Sequence, residues 1–275
     1  QAELITINHD WNDLILPPET IHQLREIYLR IKHRARVFEL WGLGKKVVAK
    51  HGLSVLFAGP SGTGKTMAAG IIANGLGQDL YRVDLSTMVS KYIGETEKNL
   101  NKIFEAAEQS NAVLFFDEAD AIFGKRSDVK DSHDRYANLQ VAYLLQRMET
   151  FSGIAILATN LIANTDDAFI RRLDFIVAFP EPEANQRKQI WQHHLESSGK
   201  LPLGSIDYQF LADHFHMTGG LIRNAVVHAA FLAAEDGGVV QMIHLLQAVK
   251  REYQKQRRLV DEALFAEFTP ASPEL

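Results

Sequence analysis

A chain of 275 residues that is 46% apolar and 23% charged has enough material for about two ordinary globular units. Twenty-nine Lys plus Arg against 34 Asp plus Glu leave a formal charge of −5, which argues against nucleic-acid coating as the main business. The absence of cysteine excludes a thiolate zinc site, a catalytic thiol and any disulfide, and suits a reducing compartment. No run of about 18 apolar residues occurs, and Gln1–Asp10 lacks the basic start and apolar core of a secretion signal. The expectation is a cytoplasmic protein without membrane insertion. The opening at Gln1 rather than Met fits a chain cut from a longer one.

In chain order, Pro17-Pro18 introduces a helix over Thr20–Leu40, with Ile21, Leu24, Ile27, Tyr28 and Ile31 in register. Five short apolar runs follow: Leu53–Ala58, Leu80–Val83, Ala112–Phe116, Ile154–Ala158 and Phe175–Phe179. Continuous runs without polar alternation predict strands buried on both faces of a parallel sheet. The stretches between them carry helical spacing, as in Leu100, Ile103, Phe104 and Ala107, or Val141, Leu144, Leu145 and Met148. Strand alternating with helix predicts an α/β sandwich. Beyond Pro180-Glu181-Pro182 only helical faces remain, around Ile190 and Trp191, Leu211 and Phe215, Ile222 to Ala233, and Ile243 to Tyr253. The predicted domains are therefore 1–180, a helix with a nucleotide-binding α/β unit, and 181–275, a small helical lid with a tail.

Gly59-Pro60-Ser61-Gly62-Thr63-Gly64-Lys65-Thr66 fits the phosphate-loop pattern G-x-x-x-x-G-K-[ST], directly after the first predicted strand and before a helix starting near Met67. Glycines let backbone N–H groups converge on phosphate oxygens, the helix N-terminus adds its dipole, Lys65 reaches the outer phosphates and Thr66 can ligate Mg²⁺. About 50 residues on, the apolar strand Val113–Phe116 runs into Asp117 and Glu118. Asp117 is assigned to the Mg²⁺ shell and Glu118 to polarising the attacking water. Asn160, after the fourth run, suits orientation of that water, although Asn also begins turns.

Together with Arg171-Arg172 before Leu173-Asp174 and the helical appendage, these residues resemble an AAA+ ATPase over nearly the whole chain. The resemblance implies the three-layer sandwich of phosphate-loop nucleotidases with a five-stranded parallel sheet in the order 5-1-4-3-2, and a ring, usually hexameric, binding ATP between neighbouring subunits. It implies that Asn160 senses the γ-phosphate. Arg171 and Arg172 become arginine fingers, and Arg223, in Thr218-Gly219-Gly220-Leu221-Ile222-Arg223, a second sensor on the lid. Family members usually separate the two arginines, so their adjacency leaves open which one reaches across, with Arg172 slightly favoured. Ser90–Leu100 is similar to the stretch carrying the first central-pore loop, which makes Lys91, Tyr92 and Ile93 substrate-contacting residues; an aromatic there grips a polypeptide without reading its sequence. Gly124–Asp134 reads equally as a second pore loop or a hydrophilic excursion.

The segments Trp11–Pro17, Asp134–Asn138 and Tyr143–Glu149 resemble the AAA+ ATPases encoded beside bacterial contractile injection systems. That implies assembly, loading or remodelling of a phage-tail-like particle. The expected activity is Mg²⁺-dependent ATP hydrolysis driving movement of a protein substrate. Two rivals are a nucleotide-gated scaffold with little turnover and a DNA-directed loader or helicase, the latter disfavoured by the net charge and the aromatic pore loop.

Overall fold

In the computed structural model, residues 2–45, 52–85, 95–120, 142–160, 170–258 and 264 are described. The chain divides into two compact units, one of residues 1–60 and 64–180, the other of 61–63 and 181–275.

The first unit opens with β1 (Ala2–Ile5) and α1 (Pro18–Lys32). Pro18 occupies the first turn of α1, where its missing N–H costs nothing; Glu19 there and Arg30 and Lys32 in the last turn complement the helix dipole. Helix α1 ends at Lys32; after a turn at His33 the chain is helical again at 34–35 and runs into the π-helical Arg36–Leu40, so the predicted Thr20–Leu40 helix is interrupted at His33. Around the interruption stand His33, Arg34 and Arg36, none of them buried, while Val37 and Phe38 beyond are half-buried. Trp41, in the turn that follows, is 68% exposed.

The remaining elements are β2 (Leu53–Ala58), α2 (Lys65–Leu76), β3 (Leu80–Asp84), α3 (Glu95–Ser110), β4 (Val113–Asp117), α4 over 142–150, β5 (Ile154–Thr159) and β6 (Phe175–Ala178). The sheet has six strands in the order β1-β3-β4-β5-β2-β6, which corrects the expected five-stranded, all-parallel arrangement. The extra member is β1, antiparallel to β3 with Ala2 opposite Val83 and Ile5 opposite Leu80. Four residues, mostly exposed, carry too little apolar signal to read as a strand; the free edge of β3 recruits them. With β1 set aside, the five parallel strands follow one another as 5-1-4-3-2 counted from β2.

Strand alternation sends side chains to two cores. Leu56, Leu114, Phe116, Ala155 and Leu157 meet Leu100, Ile103 and Phe104 of α3 and Leu144 and Met148 of α4. Val55, Phe57, Val113, Phe115 and Ile156 meet Leu24 and Ile27 of α1 and Ala68, Ile71 and Ile72 of α2. Both faces being covered, all six residues of β2 and of β5 are buried, which is why their sequences show no polar alternation. Phe104 is the hub of the first core, fully buried, with ring centroids 5.5 Å from Phe116 and 5.1 Å from Phe151. Phe104→Ala is expected to cost about 3–5 kcal/mol, read as a lowered denaturation midpoint with an unchanged slope. A loss below about 1 kcal/mol contradicts this packing account.

The second unit contains α5 (Ala184–Glu196), α6 (Tyr208–His214), α7 (Gly219–Glu235) and α8 (Met242–Lys255). A Glu183–Gln186 capping box starts α5, and Asp207 caps α6 by accepting the Phe210 N–H at 2.9 Å. Trp191 is fully buried; Arg187, 6% exposed, donates to the carbonyls of Ala212 and Pro182 at 2.8 and 2.7 Å. Among the described residues this unit holds an isolated bridge, Leu203 to Val240, and no strand.

Candidate functional site

The site forms at the carboxyl edge of β2, β4 and β5. Strand β2 delivers the chain into the Gly59–Gly64 loop, where Gly59, Gly62 and Gly64 all have positive φ. At Gly59 a side chain is barred outright, because a Cβ would lie 1.9 Å from the Phe179 carbonyl oxygen, on the segment that continues β6. At Gly64 the backbone takes a left-handed turn, φ 102°, to launch α2, whose first three residues are Lys65, Thr66 and Met67. The glycines at 59 and 64 thus answer to joining a buried strand to a helix this tightly.

Lys65 is 8% exposed, and its ammonium donates to the Gly59 carbonyl, to the Pro60 carbonyl at 2.9 Å and to Asn160 Oδ1 at 3.0 Å. Burial pushes its pKa below the ordinary lysine value, opposed by Asp117 and Asp120. Lys65 therefore ties the loop to the ends of two neighbouring strands.

Asp117 ends β4. Its Oδ1 accepts the Glu118 N–H at 3.0 Å, and its Oδ2 lies 3.2 Å from Nε of Arg82 on β3. Glu118 is exposed and sits at φ 54°, a left-handed backbone rare for a side-chain-bearing residue. Such strain persists only where the surroundings enforce it. Here the constraints are the Asp117 carboxylate holding its N–H and, one residue on, the Ala119 N–H donating to the Ala158 carbonyl at 3.0 Å.

Asp120 is a residue that motif reading did not single out. Its carboxylate accepts the Thr159 hydroxyl and the Asn160 N–H, the latter at 3.0 and 3.1 Å. It thereby clamps the chain leaving β4 to the end of β5 and fixes where Asn160 begins. The Asp117-Glu118-Ala119-Asp120 spacing held the only available signal, and one further acid beside two others reads as solvated surface.

Of the other expected site residues, Arg171 and Arg172 lie just before β6 and are exposed. Nε of Arg172 is 3.3 Å from Glu149 Oε1. Arg223 is exposed on α7, and Gly220, near the start of that helix, donates its N–H to the Gly62 carbonyl at 2.9 Å. Lys91, Tyr92 and Ile93, Gly124–Asp134 and Asp134–Asn138 lie outside the described residues.

A nucleotide triphosphate with Mg²⁺ fits this donor set. Three left-handed glycines, a helix N-terminus and a buried ammonium converge on one loop, the combination that suits phosphate. Among the described residues no group of three or more His, Cys, Asp or Glu side chains is placed to hold an ion alone. Mg²⁺ keeps several waters and is commonly held by one or two protein ligands together with phosphate oxygens.

Residues 55–181 match the family described as "ATPase family associated with various cellular activities (AAA)". They make up an AAA-type ATPase domain. Among relatives, the chain is 38% identical over 185 residues to an AAA family ATPase of Sinorhizobium fredii, covering 66% of this chain and 53% of that one. It is 34% identical over 191 residues to proteasome-activating nucleotidase 2 of Halobacterium salinarum, covering 66% and 46%. It is 32% identical over 228 residues to the 26S proteasome subunit RPT4 of Saccharomyces cerevisiae, covering 79% and 50%. The chain thus spans about half the length of these relatives. No described helix is long and apolar enough to cross a membrane.

Proposed function

We propose that this chain is a cytoplasmic motor that assembles into a homomeric ring, hydrolyses ATP with Mg²⁺ and uses the cycle to unfold or thread a protein substrate. The observation that carries the reading is the buried Lys65 ammonium, held together with Asn160 and within the field of Asp117 and Asp120 at the carboxyl edge of the sheet. Similarity to proteins named proteasome-activating nucleotidase supports a protein as the substrate.

In this reading the loop N–H groups of Gly59–Gly64 and Lys65 bind the β- and γ-phosphates, with Met67 continuing the helix behind them. Thr66 and Asp117 hold Mg²⁺, which when bound neutralises charge developing on the phosphate oxygens. Glu118, exposed and turned out of the strand by its left-handed backbone, accepts a proton from the attacking water. Asn160, clamped by Asp120 and bonded to Lys65, orients that water and registers the γ-phosphate. A guanidinium from Arg171 or Arg172 of a neighbouring subunit, and Arg223 of the lid, bond phosphate oxygens that gain charge as the bond breaks.

Tyr92, with Lys91 and Ile93 beside it, contacts the polypeptide in the central channel. The narrower role, loading or remodelling a contractile injection particle, is supported by resemblance in Trp11–Pro17 and Tyr143–Glu149. The experiment is ATP-driven unfolding of a tagged fluorescent protein. Tyr92→Ala is expected to keep ATP turnover and lose unfolding; a Tyr92→Ala ring that unfolds normally removes the pore-grip reading.

A further inference from the structure

Strand β3 brings a cation to the corner where Mg²⁺ is to be held. In the parallel register Arg82 faces Phe115 and Asp84 faces Asp117, so Arg82 reaches Asp117 on the diagonal, Nε to Oδ2 at 3.2 Å. The side chains are 40% and 22% exposed, but the Nε–H itself is shut off from water and makes no hydrogen bond of acceptable geometry. Arginine–carboxylate pairs frequently close into a forked, hydrogen-bonded contact. This one is held by charge alone.

The other oxygen of Asp117 is occupied by the Glu118 N–H at 3.0 Å. Oδ2 is therefore the atom left to meet a cation, and Arg82 already stands against it. Asp117 and Asp120 both act on the Lys65 ammonium, and Arg82 stands against Asp117. A guanidinium, charged at every accessible pH, opposes a divalent ion at that oxygen.

We infer that Arg82 is a positioning residue that sets the magnesium requirement: it holds Asp117 Oδ2 ready and competes with Mg²⁺ for it. The inference rests on the reading of Asp117 as the metal-holding carboxylate.

The test is equilibrium binding of a fluorescent ATP analogue to the purified full chain, with Mg²⁺ titrated in, so that no turnover is involved. Arg82→Gln is expected to lower the Mg²⁺ concentration for half-saturation by about two- to fivefold, the range that a half-exposed ion pair supports. Arg82→Lys, which keeps the charge, is expected to stay near the unmodified protein. Loss of packing alone would not separate these two variants. An unchanged or raised Mg²⁺ midpoint for Arg82→Gln, or an Arg82→Lys that behaves like Arg82→Gln, overturns the inference. Asp117→Asn distinguishes the two levels. If it abolishes the Mg²⁺ dependence while Arg82→Gln changes nothing, only the role of Arg82 falls; if Asp117→Asn leaves the dependence intact, the metal-holding assignment falls with it.

Discussion

Glu118→Gln is expected to bind ATP as the unmodified protein does and to hydrolyse it at least about 10²-fold more slowly, the low end of what a positioned general base contributes. The substitution is close to isosteric, so the left-handed backbone at φ 54° and the N–H donated to Asp117 Oδ1 carry over unchanged. What disappears is the capacity to take a proton from water. Lys65, Asp120 and Asn160 are bonded to one another and to the loop through atoms that do not involve the Glu118 side chain. Nucleotide affinity is accordingly expected to hold while phosphate release stops. Steady-state phosphate release beside fluorescent-nucleotide binding checks both halves, and turnover within about tenfold of normal would reject Glu118 as the base.

The second large effect concerns the adjacent arginines. Arginine fingers contribute roughly 10³–10⁵ in rate, so removal of the one that reaches across is expected to leave a ring that binds ATP and scarcely turns over. The geometry orders the two. Arg172 is engaged by its own chain: Nε lies 3.3 Å from Glu149, and its carbonyl accepts the Ser54 hydroxyl at 3.4 Å. Arg171 is exposed and makes no ion pair among the described residues. Arg171→Ala is therefore expected to cost turnover about 10³-fold or more, and Arg172→Ala much less. This expectation differs from the slight preference for Arg172 stated with the family resemblance. Mixing Arg171→Ala with Glu118→Gln supplies the decisive control. If the finger acts in trans, some interfaces in a mixed ring regain both groups and turnover partly returns, whereas no recovery means that each subunit is self-sufficient.

Much of the site was legible because its signals are local. The glycines of the phosphate loop answer to backbone geometry over six consecutive residues, and the apolar runs from Leu53 to Phe179 answer to a sheet covered on both faces. Helices α5 to α8 each carry their own periodicity, and α5, α6 and α8 their own caps. Where a local signal was weak, the reading missed detail: β1 is too short and exposed to announce itself, and the first helix is interrupted at His33.

By itself, then, the sequence determined the phosphate loop, the carboxylate pair at the end of β4, the strand and helix types and the change to helices after Pro182. Only the tertiary structure decided that Asp120 clamps Asn160, that Arg82 stands against Asp117, that Glu118 sits on a left-handed backbone and that Glu149 takes Arg172. Periodicity, capping and glycine freedom are properties of neighbours in the chain. Which side chains meet across strand ends depends on strand order and register, and that is set by the burial of the whole sheet at once.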